Sequence, residues 1–104
     1  MIECLKEIPD SVYYEDIFPL LKSKNWEERV VGHYLFATMR LDDLEFDLDL
    51  ETELSIYSII EEQIKTLVNY RNSIEKEIVE KNIDFRKIAF SIPKIKNEVK
   101  EWKS

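Results

Sequence analysis

At 104 residues, with one cysteine and a net charge of −7, the chain has the length of one helical domain that folds without disulfide staples. Apolar residues are 44% and charged residues 36%, too apolar a balance for disorder. A single glycine and three prolines supply too few turns for a β-sandwich or barrel, and no apolar run approaches the ~20 residues of a membrane span.

In chain order, Ile2, Leu5 and Ile8 fall at helical spacing and predict a short opening helix over 1–8, followed by a break and cap at Pro9-Asp10-Ser11. Glu3 and Glu7 replace the basic start of a signal peptide, so the sequence reads as cytoplasmic. Val12 to Lys22 reads as a helix with Tyr13, Ile17, Leu20 and Leu21 inward; Pro19 removes a donor and predicts a kink near Glu15 and Asp16. After the polar turn Lys22 to Asn25, a second helix begins. Asn25 caps it, Glu28 stands at the capping-box position, and Glu27 and Glu28 suit the positive end of the helix dipole. Trp26, Val30, Tyr34, Ala37 and Leu41 form one apolar face, and Val31, Leu35 and Met39 a second. Only a narrow stripe remains, Arg29, His33 and Arg40 with Phe36, so this helix is expected to be covered on several sides.

The αα-hairpin Ile17 to Arg40 resembles the HEAT repeats of α-solenoid proteins. Pro19, Leu20, Leu21, the turn at Lys22 to Asn25, Arg29 and Gly32 stand in that family's order and spacing. Glu28 replaces the usual Val, Ser23 replaces a common Asp, and no clear second copy follows. The resemblance covers about a quarter of the chain and implies a scaffold that binds partners.

Leu44, Phe46, Leu48 and Leu50 then alternate with polar residues. Period two is the strand signal, yet most of the interleaved residues are carboxylates, which strands disfavour. The resolution adopted is an extended linker or short edge segment over 43–48, with Asp49 capping a helix, or two collinear ones, over 50–81. Arg71 falls on the apolar stripe there, and Asn69 to Asn72 is the expected bend. Finally Asp84 caps a helix whose Phe85, Ile88, Ile92, Ile95, Val99 and Trp102 form a heptad-like seam. Pro93 either kinks it or follows a new start capped by Ser91. The fold class expected is all-α, four to five helices in one domain.

Motifs for chemistry are missing. Nucleophilic catalysis needs a base beside the nucleophile, and nothing brings the sole His33 to the sole Cys4. Phosphate-cradling loops need glycines, zinc needs clustered Cys and His, and Asp47-Leu48-Asp49 lacks the spacing of a calcium loop. The chain is therefore expected to be non-enzymatic, with no cofactor and no metal.

Charge layout is the unusual feature. Residues 41–64 hold nine carboxylates and no Lys or Arg, whereas residues 65–104 are net +4. The bland reading of the acidic interval is a solvated loop. The sharper one is a docking surface, Asp42, Asp43, Glu45, Phe46, Asp47, Asp49, Glu51 and Glu53, that steers in a basic protein such as a nuclease or toxin and occludes its site. Inhibitors and immunity proteins act this way as a class. Direct contact with nucleic acid is not expected of so acidic a chain. The rival is a scaffold or homodimer packing through the Phe85–Trp102 seam.

Overall fold

The computed structural model describes residue 8, residues 12–92 and residue 95. The fold is all-α: α1 Tyr14–Leu21, α2 Trp26–Leu50, α3 Leu54–Glu80 and α4 Phe85–Ala89. The opening helix expected over 1–8, the cap at Ser11, Pro93, and the seam members Val99 and Trp102 lie outside the described residues, apart from Ile8.

The centre is α2, against which α1, α3 and α4 all pack. Its start follows from local chemistry. Asn25 Oδ1 accepts from the N–H groups of Glu27 (2.8 Å) and Glu28 (3.3 Å), satisfying donors the helix cannot. The two residues that depart from the HEAT pattern meet each other: Ser23 Oγ donates to Glu28 Oε1 at 2.7 Å. Arg29 closes the same turn by donating to the Ser23 carbonyl at 2.7 Å. Beyond the turn, Gly32 lets α1 and α2 touch. A Cβ on Gly32 would stand 2.9 Å from Leu20 Cβ and 3.1 Å from the Leu21 backbone nitrogen.

The core gathers Val12, Ile17 and Leu20 with Val31, Tyr34 and Leu35 of α2, then Ile74, Ile78, Ile83, Phe85, Ala89, Ile92 and Ile95. Tyr34 and Phe85 meet edge to face at 5.2 Å. Asn82 makes the sharp turn into α4, with φ at 53°. The Ile83 N–H reaches the Ile78 carbonyl and the Asn82 N–H reaches that of Val79, a Schellman ending whose flanking isoleucines are both buried.

Several expectations need correction. Residues 43–48 are neither an extended linker nor an edge segment; they are the last turns of α2, which runs unbroken to Leu50. Asp49 therefore lies inside α2, and Glu53 occupies the N-cap of α3. The reason is that the period-two pattern is two interleaved helical pairs. Leu44 and Leu48, four apart, turn inward, buried and half-buried, while Phe46 and Leu50, also four apart, turn to solvent. Trp26, expected in the core, is 45% exposed. It is the first residue of α2, and Lys81 Nζ, at the C-cap of α3, sits 5.3 Å from its ring centre. Helix α4 stops at Ala89, where Phe90 N–H bonds to the Arg86 carbonyl and Ser91 Oγ to that of Ile88; Ile95 beyond it is again helical, so of the two alternatives at Pro93 the described residues agree with a break near Ser91. Of the two alternatives for 50–81, one long helix or two, α3 is one helix, unbroken through Asn69 to Asn72. No HEAT-like repeat follows the α1–α2 hairpin among the described residues.

Candidate functional site

Cover over the α2–α3 hairpin ends part-way along it. At the end of that cover, Tyr14 donates its hydroxyl to Asp43 Oδ2, and its ring tilts against Phe36 at 5.3 Å. Burial, then Asp43 as acceptor and as neighbouring negative charge, push the Tyr14 phenol up to about 12; Arg40 works weakly in the opposite direction.

Past this clasp the hairpin becomes sparse in core. Leu44 is the last buried residue of α2, and none between 45 and 73 is buried. At this end Phe46 and Leu50 are each 65% exposed and Leu54 is 79% exposed, with Ile56 and Ile59 also open to solvent. On α2, Phe46 is ringed by Asp42, Asp43, Asp49 and Leu50, which stand three or four residues away and so lie next to it on the helix surface.

The predicted site residues are thereby sorted. Asp42, Asp43, Glu45, Phe46, Asp47 and Asp49 are all exposed on the final turns of α2. Asp43 is engaged by Tyr14. Glu51 is half-buried and serves the connector, its Oε1 accepting from the N–H groups of Thr52 (3.1 Å) and Glu53 (3.0 Å). Glu53 heads α3 as an exposed N-cap without a side-chain cap bond. Among the described residues, Glu45, Asp47, Asp49 and Glu53 make no ion pair; pairs such as Lys76–Glu80 (3.9 Å) and Lys81–Glu77 (3.1 Å) form near the far end of α3.

This placement is electrostatically unfavourable for the chain by itself. The last turn of α2 contains no basic residue, so its carboxylates crowd the negative end of the helix dipole. Asp43 and Asp47, and Glu45 and Asp49, repel at four-residue spacing. Each such term costs a few tenths of a kcal/mol to about 1 kcal/mol.

Of the apolar half of the surface, sequence reasoning named Phe46 but missed Leu54, Ile56 and Ile59. Apolar residues of this kind read as core in a sequence, and only the structure reveals them as exposed. It also missed the Tyr14–Asp43 clasp, which joins residues 29 positions apart.

Chemically, the tip offers carboxylates and apolar anchors. Among the described residues no cluster of three or more His, Cys, Asp or Glu could hold a metal ion, and no helix is long and apolar enough to cross a membrane. Comparison with known proteins finds no matching family model, no matching curated protein and no matching solved structure.

Proposed function

We propose that the acidic end of the α2–α3 hairpin is a docking surface for a basic protein, and that the chain acts as a non-enzymatic inhibitor of the immunity-protein or nucleic-acid-mimic kind. One observation carries the reading. Phe46 and Leu50 are exposed beside Glu45, Asp47 and Asp49, which make no ion pair among the described residues and which burden their own helix. Local rules broken without a compensating internal contact are the mark of a surface shaped for something else. A partner rich in Lys and Arg would relieve the repulsion, and its apolar groups would cover Phe46, Leu50 and Leu54, giving a desolvated centre inside a charged rim. Such a partner's own nucleic-acid site would be occluded by the same charges.

The rival reading, association through the seam that begins at Phe85, finds less support. Phe85, Ile92 and Ile95 are buried in the chain's own core and Ile88 is half-buried.

The test is affinity capture with the wild-type chain from its native lysate, followed by calorimetry with the purified partner. The comparison variant changes Asp42, Glu45, Asp47, Asp49 and Glu53 to their amides. A basic, nucleic-acid-binding partner whose affinity drops at least about tenfold supports the reading. Equal affinity of both forms at low salt overturns it.

A further inference from the structure

The hairpin has a second feature, which the acidic tip does not use. Phe36, Arg40 and Leu44 follow one another at four-residue steps along α2, while Gln63, Leu67 and Tyr70 do so at steps of four and three along α3. Together they line an open groove of about 560 Å³ between the two helices. Its floor is apolar: Leu44 is buried, Phe36 and Leu67 are half-buried, and Tyr70 is 47% exposed. Its rim is polar, with Arg40 and Thr66 exposed and Glu62 towards the acidic end.

The shape suits a helix. The lining spans eight residues on each wall, roughly 12 Å or two turns at 1.5 Å per residue. Among the described helices the main neighbour of α3 is α2, and Ile60, Ile64 and Leu67 are half-buried. A third helix laid along the groove would present residues at i, i+3 or i+4, and i+7 to this floor, the usual mode for an amphipathic helix in an apolar groove.

The charge selects among helices. The groove opens at its distal end onto the interval 41–64, nine carboxylates with no Lys or Arg. A second copy of this chain would bring two such intervals together, which repulsion disfavours. A cationic amphipathic helix gains at the tip through its charges and in the groove through its apolar face. Building on the docking function argued above, we infer that the α2–α3 groove seats a cationic amphipathic helix of the partner, its apolar face over Phe36, Leu44, Leu67 and Tyr70 and its Lys and Arg over the tip carboxylates.

The probe is a fluorescein-labelled Leu/Lys peptide of about 14 residues, roughly four turns, with leucines on one helical face. A peptide of the same composition with the leucines scattered is its control. Anisotropy titrations use the full chain, Tyr70→Ala and Thr66→Arg, both changes at exposed positions, and the tip variant Asp47→Asn/Asp49→Asn/Glu53→Gln; circular dichroism verifies each fold. The patterned peptide is expected to bind the full chain about tenfold more tightly than the scattered one, and each groove variant to lose about tenfold for it. Equal binding of the two peptides overturns the inference. So does unchanged affinity in both groove variants; if the tip variant alone weakens binding, the groove fails while the acidic tip stands. Loss in the groove variants with no effect of the tip variant supports the groove and removes the tip. Sedimentation of the protein alone as a dimer that Tyr70→Ala dissolves makes a second copy the occupant and overturns the choice of partner.

Discussion

Tyr14, at the first turn of α1, donates its hydroxyl to Asp43, 29 residues later on α2. The bond ties the beginning of one helix to the exact turn of the other at which packing gives way to an uncovered hairpin. A hydrogen bond to a charged acceptor contributes roughly 1.5–3 kcal/mol when buried; this one is partly open to water, so Tyr14→Phe is expected to cost about 1 kcal/mol. The phenol also links stability to pH. Its folded-state value, about 12, lies above the ordinary 10. The contribution is therefore whole below pH 10 and is lost as pH rises from about 10 to about 12. Urea midpoints of wild type and Tyr14→Phe at pH 8 and pH 11 test this, because the other tyrosines cancel in the comparison. The wild-type advantage should shrink at the higher pH; an equal advantage at both excludes the linkage.

Gly32 sets the distance between α1 and α2. Alanine is the better helix former by about 1 kcal/mol, so propensity alone predicts a stabilised Gly32→Ala. Contact predicts the reverse, since the new methyl would lie 2.9 Å from Leu20 Cβ and 3.1 Å from a backbone nitrogen that cannot swing away. A net loss of about 1–3 kcal/mol is expected. A thermal melt at or above the wild-type midpoint would show that the helices separate freely.

The all-α class, the Asn25 cap, the tight turn and the inward face of α4 are all legible in the residues, because each rests on contacts a few positions apart. The end of α2 is not. Alternation at Leu44, Phe46, Leu48 and Leu50 is what a strand shows, and it is equally what a helix shows when an inward pair and an outward pair interleave. Choosing between them needs to know that Phe46 and Leu50 are exposed, and an apolar residue does not announce that. The acidic block itself is legible as charge; that it continues a rigid helix, with Glu51 diverted to the connector, is visible only in three dimensions.

The strain argued for the tip has a measurable consequence. Replacing Asp47 and Asp49 by Asn removes two charges from the negative end of α2 and should stabilise the free chain by about 0.5–1 kcal/mol, or about 3–6 °C in Tm. Added salt should raise the wild-type Tm more than that of the double variant, because it screens a repulsion only the wild type retains. A lower Tm for the variant would mean that these carboxylates support the fold.

Asn82 adopts a left-handed backbone that side chains with a Cβ resist, and asparagine tolerates it better than most. Asn82→Ala should cost about 1 kcal/mol and Asn82→Gly should be neutral or stabilising. Denaturant unfolding of both variants measures this. If alanine is as stable as glycine, the turn after α3 is not held in the Schellman geometry.

Neighbouring positions on α2 offer the sharpest separation of fold from function. Leu44 is buried, whereas Phe46, two residues on, is 65% exposed. Leu44→Ala should cost about 2–4 kcal/mol, the usual penalty for emptying a core site. Phe46→Ala removes a larger side chain yet should shift stability by less than about 0.5 kcal/mol, as surface changes do. In an extended segment the two side chains would share one face, and their costs would rise or fall together. Chemical denaturation of the two variants thus tests the helical reading of residues 43–48 directly. The same pair should invert on binding to a basic partner: Phe46→Ala, harmless to folding, should weaken the complex, since an exposed aromatic ringed by carboxylates can gain its cover only from another molecule. Equal partner affinity for Phe46→Ala and wild type would leave the aromatic without a role at the tip.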